Sequence, residues 1–281
     1  MMKQQIYPCL WFDQKAKEAA EFYCTVFDAE ITDENHFVSI VETAGQKFMC
    51  INGGPKFKPN PSISFFVVYE TEQETDDAWE KLSEEGNVLM PLDEYPWSKK
   101  YGWIQDKYGI SWQLSFGKMT DVGQKFSPTL MFTGDKAGKA EEAIGYYTSI
   151  FKDSSVTGIL KYKEEEDDVE GYVKHAQFSI DNYVMMAMDS SLPHGFDFNE
   201  GISLVVECET QEEIDYYWSK MSAVPEAEQC GWLKDKYGVS WQIIPAVLQK
   251  LVNDPEKGQA VVQAFIQMKK FDIEKLLIAA E

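Results

Sequence analysis

At 281 residues the chain is long enough for two domains with cores of their own, and its 44% hydrophobic and 14% aromatic content excludes a disordered polymer. A formal net charge of −21 repels phosphate backbones and argues against nucleic acid as a partner. No apolar run approaches a membrane span, no apolar signal region follows Met1-Met2-Lys3-Gln4-Gln5, and the five cysteines are odd in number without CxxC spacing, so a reduced cytoplasmic protein away from membranes is expected.

In chain order, Ile6 to Phe12 reads as a short β-rich run. Apolar residues then recur at Ala16, Ala19, Ala20, Tyr23, Val26 and Phe27, the spacing of one helix face. Three strand-like runs follow, near Ile31 and over 37–42 and 47–52. The cycle restarts with a strand over 62–69, a helix over 71–85, and strands near 88–92, 102–106 and 110–116. The acidic run Glu164-Glu165-Glu166-Asp167-Asp168 lies between strand-like stretches and reads as a solvated hairpin loop.

The second half repeats the first. Pro8-Cys9-Leu10-Trp11-Phe12 is answered by Pro128-Thr129-Leu130-Met131-Phe132, and Glu70-Thr71 by Glu209-Thr210. DKYGISWQ at Asp106–Gln113 returns as DKYGVSWQ at Asp235–Gln242. The repeats cover about residues 5–117 and 125–245, so a βαβββ module is written four times. The segment before Gly102, Met90 to Tyr101, is replaced in the second copy by the shorter 223–230 stretch, which should open or collapse that copy's cleft. The tail reads as short helices, with Asp254-Pro255 as a helix start.

This order, with the stretches PCLWF, EFYCTVF and DKYGISWQLSFG, resembles the vicinal oxygen chelate (glyoxalase–bleomycin resistance) superfamily. More narrowly it is similar to the PhnB-like, or 3-demethylubiquinone-9 3-methyltransferase-like, family in tandem duplication. The resemblance implies an α+β fold of two glyoxalase/bleomycin-resistance-type domains, each of two βαβββ modules around a concave ligand cleft, plus a C-terminal helical tail. The expected divisions are 1–120, 121–245 and 246–281.

In metal-using members of the superfamily, four strands supply the metal ligands, and the last is the carboxylate at the place of Gln113 and Gln242. By pattern, the other first-repeat positions are Tyr7, Cys50 and Ser62; those of the second are Ser127, Ala187 and Gly201. Neither set suits a divalent metal, and His36, His175 and His194 stand at non-equivalent places, so no metal is expected. The only Gly-Gly, Gly53-Gly54, leads toward Pro55 and Pro59 without a helix, so no cofactor is expected either.

Strand alternation puts Pro8, Leu10 and Phe12 on the packing side, and Tyr7, Cys9 and Trp11 on the concave side. The expected ligand-binding set is Tyr7, Cys9, Trp11, Phe48, Cys50, Asn52, Ser64, Trp97 and Gln113, with Phe66 and Ser111 on the same wall. The preferred expectation is metal-independent binding of a small molecule in the cleft of the first domain. The ligand would stack on Trp11 or Trp97 and hydrogen-bond to Gln113. Two alternatives stay open: a lyase, isomerase or transferase of the glyoxalase class using Tyr7, Cys50, Asp93 or Glu94 as acid–base groups, and a scaffold with filled clefts. The internal pseudo-dimer leaves room for a homodimer as well.

Overall fold

The computed structural model describes residues 5–281. In chain order the elements are β1 (Ile6–Phe12), α1 (Ala16–Phe27), β2 (Glu30–Glu34), β3 (Val38–Thr43), β4 (Gln46–Asn52), β5 (Ile63–Tyr69), α2 (Glu72–Ser83), β6 (Asn87–Tyr95), β7 (Ser98–Gln105), β8 (Ser111–Phe116) and α3 (Met119–Val122). The second repeat supplies β9 (Phe126–Phe132), α4 (Ala140–Ile150), β10 (Ser155–Lys161), β11 (Val173–Ile180), β12 (Tyr183–Asp189), β13 (Ile202–Cys208), α5 (Gln211–Met221), β14 (Trp232–Lys234) and β15 (Ser240–Pro245). The tail forms α6 (Leu248–Val252), α7 (Gly258–Phe265) and α8 (Ile273–Ala279). The fold is α+β, and three of the four expected βαβββ modules are complete, while the fourth (β13, α5, β14, β15) lacks one strand.

Two compact units emerge: Leu10–Ile202, and Ser203–Glu281 with the chain before Leu10. The larger contains an eight-stranded mixed sheet in the order β10-β11-β12-β9-β5-β8-β7-β6. At its centre β5 runs parallel to β8, with Phe66 beside Gln113, and antiparallel to β9, with Ser64 opposite Thr129 and Phe66 opposite Ser127. The central sheet is therefore built from both repeats. Antiparallel β2, β3 and β4 form a second piece of sheet in this unit, and the Gly53 N–H reaches the Phe12 carbonyl at 3.0 Å.

Contacts in the larger unit are reciprocal between the copies. Met131 N donates to the Ser62 carbonyl at 2.8 Å, and the equivalent Trp11 N donates to the Gly201 carbonyl at 3.0 Å. Asn60 Nδ2 donates to the Asp197 carbonyl, and Asn199 Nδ2 to the Lys58 carbonyl, each at 3.0 Å. Such self-complementary exchange is what a two-fold dimer interface shows, here within one chain. A Cβ added at Gly201 would lie 2.5 Å from the Lys58 backbone, so this close approach requires glycine.

The repeated motifs have structural explanations. Thr71 and Thr210 each accept a hydrogen bond from the backbone N–H three residues on, at 3.2 and 3.3 Å, capping α2 and α5. In DKYGISWQ, Asp106 Oδ1 accepts from Tyr108 N (2.9 Å) and Ile110 N (3.0 Å). Its Oδ2 accepts from Tyr23 Oη and Trp112 Nε1, both at 2.8 Å. Gly109 turns the loop at a φ of +89°. Trp112 in turn meets Tyr23 and Phe27 of α1 at centroid distances of 5.3 and 4.7 Å. Asp235 does the same for Tyr237 N, Val239 N and Trp241 Nε1 at 2.9–3.1 Å.

In the smaller unit β15 lies between β13 and β14, and the start of β1 lies beyond β13, where Glu207 N donates to the Gln5 carbonyl at 2.8 Å. Its α5 and β14 are joined without a counterpart of β6. The tail fills that place. Cys230 N and Gly231 N donate to the carbonyls of Met268 (2.8 Å) and Lys269 (2.7 Å), at positions where the first repeat presents Tyr101 and Gly102 to β6. Phe271 packs on Gly231, where an added Cβ would lie 2.5 Å from its ring. Gln211 holds both sides of this turn, donating to the Phe271 carbonyl and accepting from Ile273 N. Asp254 does cap a turn, accepting from Glu256 N and Lys257 N at 2.9 Å, directly ahead of α7.

Two expectations follow. Asp106→Ala leaves the buried Tyr23 hydroxyl and Trp112 indole N–H without an acceptor, and should cost about 3 kcal/mol or more in urea unfolding; a loss within error of zero would remove this carboxylate from the stability argument. Phe271→Ala should cost about 3 kcal/mol and expose the tail to limited proteolysis ahead of the remainder; an unchanged cleavage pattern would contradict the tail's role as the backbone partner of Cys230 and Gly231.

Candidate functional site

The strand registers set one face of the eight-stranded sheet. Ser64 stands beside Ser111 and opposite Thr129, Phe66 beside Gln113 and opposite Ser127, while Tyr101 and Trp103 of β7 pair with Ser115 and Gln113. Trp112, Phe65 and Leu114 take the opposite parity, toward the helices, where Phe65 meets Trp112 at 5.2 Å. The face bearing Gln113 is thus the one turned away from the Phe65–Trp112 contact.

A neutral hydrogen-bond chain crosses this face. Gln113 Nε2 donates to Ser64 Oγ at 2.7 Å, and Tyr101 Oη donates to Gln113 Oε1 at 2.7 Å. Next to it Trp103 Nε1 donates to Ser111 Oγ at 2.7 Å. Burial holds the Tyr101 phenol well above its ordinary pKa, so it stays a donor. Across the sheet centre, Ser127 and Thr129 are 0% and 1% exposed, and neither hydroxyl has a hydrogen-bond partner. A buried, unpartnered hydroxyl costs roughly 1–3 kcal/mol, and here two stand side by side on one face.

Of the sequence-predicted residues, Ser64 and Gln113 are brought together. Trp97, 61% exposed at the β6–β7 turn, stacks on Tyr95 (5.1 Å, 23°) and meets the edge of Tyr101 (5.9 Å, 73°), giving the rim an aromatic ledge one ring away from Gln113. Trp11 lies across Gly53, donates from Nε1 to the Gly54 carbonyl at 2.7 Å and meets Phe57 edge-on at 5.1 Å. Phe48, Cys50 and Asn52 share a parity that turns toward α1: Phe48 meets Tyr23 at 5.8 Å, and Asn52 Oδ1 accepts from Ala16 N at 2.9 Å to cap the helix. That differs from the expected concave placement of Phe48, Cys50 and Asn52. In β4 both faces are apolar, Phe48 and Cys50 against Met49 and Ile51, so alternation alone could not choose.

Tyr7 and Cys9 belong to a different cluster, in the smaller unit. Tyr7 Oη donates to Glu207 Oε1 at 2.8 Å, and Gln242 Nε2 donates to Ser203 Oγ at 3.0 Å, repeating the Gln113–Ser64 pair. Burial pushes the Cys9 thiol up to about 12, against hydrogen bonds from Gln242 and Ser203 that lower it. Tyr101 and Thr129 were missed by the sequence-derived set, and Ser127 entered only as a second-repeat position. Their signal was parity, since Tyr101 shares a face with Ser115, and Ser127 with Phe66.

A family model described as 3-demethylubiquinone-9 3-methyltransferase matches residues 4–115 and again residues 124–244. The chain belongs to this family. Its two matches confirm a tandem duplication. Among solved structures, a putative 3-demethylubiquinone-9 3-methyltransferase, PhnB protein, from Bacillus cereus is 40% identical over 41% of this chain and all of its own, at a TM-score of 0.37. Glyoxalase I from Zea mays aligns over 89% of this chain and 95% of its own at a TM-score of 0.58 and 10% identity, a likeness of fold. No curated protein matches. Among the described residues no helix is long and apolar enough to cross a membrane.

The groups implied by the family and fold do not fit these residues. The Gln113 face offers one amide and hydroxyls where a divalent metal wants imidazole, carboxylate or thiolate. For a methyl donor, the only paired glycines of this family member are taken up beneath Trp11, and the chain continues into a turn and not a helix.

Thiol accessibility tests the electrostatics of the cluster. With iodoacetamide at pH 8, the half-buried Cys24 and Cys230 should be alkylated, while Cys9 stays unmodified in the native protein, as read by mass spectrometry. Modification of Cys9 at the rate of Cys24 would contradict a buried, protonated thiol.

Proposed function

We propose that the chain binds a small, oxygen-bearing ring compound on the concave face around Gln113, without a metal, in the cytoplasm. The observation that carries this reading is the pair of buried, unpartnered hydroxyls, Ser127 and Thr129, next to the Ser64–Gln113–Tyr101 chain. Gln113 Oε1 is already occupied by Tyr101, so the face offers mainly donors. Carbonyl oxygens of a ligand accept from them, and the ring lies against the aromatic ledge of Trp97 and Tyr101. The family's description names a demethylated quinone, and a hydroxyquinone has this combination of carbonyl oxygens on a flat ring. Free cysteines suit a reducing compartment.

Binding is favoured over catalysis by the same groups. Tyr101 is held too weakly acidic to serve as a proton donor near neutrality, and the remaining groups of the face are hydroxyls and an amide.

The soluble probe 2-hydroxy-1,4-naphthoquinone should bind by calorimetry with an affinity unchanged by EDTA. Gln113→Ala and Thr129→Val should each weaken it about 10-fold, the worth of a hydrogen bond in a dry site. Loss of binding in EDTA, or full affinity in both variants, would overturn the reading.

A further inference from the structure

The two copies diverge in matched sets of residues. Tyr7 and Glu207, joined at 2.8 Å, stand at the repeat positions of Ser127 and Val68. A second set lies wholly within the larger unit, in the half of the eight-stranded sheet formed by β9, β12, β11 and β10. Met188 stands beside Met131, and His175 follows directly on the Ala176–Ala187 pair, so these three occupy one row across β11, β12 and β9. Met186 lies two residues back along β12, beside Thr129. The repeat equivalents of the row are Val38, Ile51 and Trp11, with Val38 opposite Ile51. Positions with no donor atom for a metal in the first copy thus hold an imidazole and two thioethers in the second.

Alternation turns the row away from the helix. Asp189 accepts from Gly138 N and Ala140 N at the start of α4, at 2.8 and 3.0 Å, so Asp189 and Ala187 point to that helix and Met188 to the other side. His175 alternates in the same way with the fully buried Ala176. Met131 and Met186 are buried, Met188 is half-buried and His175 is exposed, so the row runs from a closed floor to open solvent. The His175 imidazole has no hydrogen bond, ion pair or ring contact among the described residues. Neighbouring strands lie about 4.8 Å apart, so His175 and Met131 each have to reach across only that distance to meet above Met188. A purely apolar floor would be served as well by the valine and isoleucine of the first copy.

We propose that His175, Met188 and Met131 form a site for a soft monovalent metal ion, Cu(I). Thioether ligands select Cu(I), and imidazole suits copper, whereas magnesium and calcium want oxygen donors. All three donors are neutral, which suits an ion of single charge. Met186 supplies a further thioether next to the row. The strands β12, β9 and β5 separate β11 from β8, so this site is distinct from the group around Gln113.

The test uses the full-length protein with its accessible thiols first blocked by iodoacetamide, and Ag(I) as a redox-inert stand-in for Cu(I). In 1H–13C spectra of methionine-methyl-labelled protein, Ag(I) should shift the Met131 and Met188 methyl signals and leave Met185, on the opposite face, unmoved. Cu(I) affinity is then read by competition with bicinchoninate. His175→Val and Met188→Ile, each the residue of the first copy, should weaken it at least about 10-fold, since even the outer-shell partners of a metal are worth that much. Zn(II) should leave the methyl signals unmoved. Should Met188→Ile fail to fold, the exposed His175→Val decides together with the wild-type spectra. Unmoved Met131 and Met188 signals, an equal response to Zn(II), or full Cu(I) affinity in His175→Val would each overturn the proposal. The hydroxyquinone titration at Gln113 is run without metal, so either site can fail alone.

Discussion

The antiparallel pairing of β5 with β9 is the constraint on which the larger unit depends. It joins the first repeat to the second at the centre of one sheet, and places Ser64 and Phe66 opposite Thr129 and Ser127. Backbone pairing of this kind is indifferent to which copy a strand comes from, provided the alternation of faces is kept. The reciprocal bonds of Asn60 and Asn199 then fix the register of the two copies against each other, as the two halves of an isologous interface do. Gln113 acquires its surroundings from this pairing, and the unpartnered hydroxyls stand where they do because β9 is the neighbour.

Module order, helix faces and the duplication were legible because they are local or periodic. Tyr23 and Phe27 sit at helical spacing, and the Asp-x-x-Gly turn with its Trp is a short-range unit that explains itself once the carboxylate is seen to bind both the turn and the indole. The parity of β1, β5 and β8 was also readable, since one side of each carries small polar residues or the copies agree on one side only. β4 was not: its two faces are equally apolar, and the deciding contact, Tyr23 on Phe48, comes from a helix 20 or more residues away in sequence.

The partner strand was the larger omission. Placing Tyr7, Cys50, Ser62 and Gln113 around one point assumes that a repeat closes on itself. Instead Gln113 sits in a sheet with Ser127 and Thr129, and Tyr7 sits with Glu207 and Gln242. Two similar copies present almost identical pairing edges, so sequence carries little information on which one is used. The docking of the tail where the first repeat has β6 was hidden for a related reason. Its anchors are backbone groups of Cys230 and Gly231, which leave no trace in side-chain pattern beyond a glycine under Phe271.

Shared sheets also alter how a duplicated protein can diverge. After an ordinary duplication, one copy keeps its task and the other is free to drift. Here a change at Ser127, in the second copy, lands on a face whose amide comes from the first, and a change at Tyr7, in the first, meets a carboxyl group from the second. Neither copy owns a complete face, so selection on one ligand surface constrains both halves of the chain. The paired exchange of Ser127 and Val68 for Tyr7 and Glu207 has the form such divergence must take: matched substitutions, one in each copy, made against each other across a strand boundary.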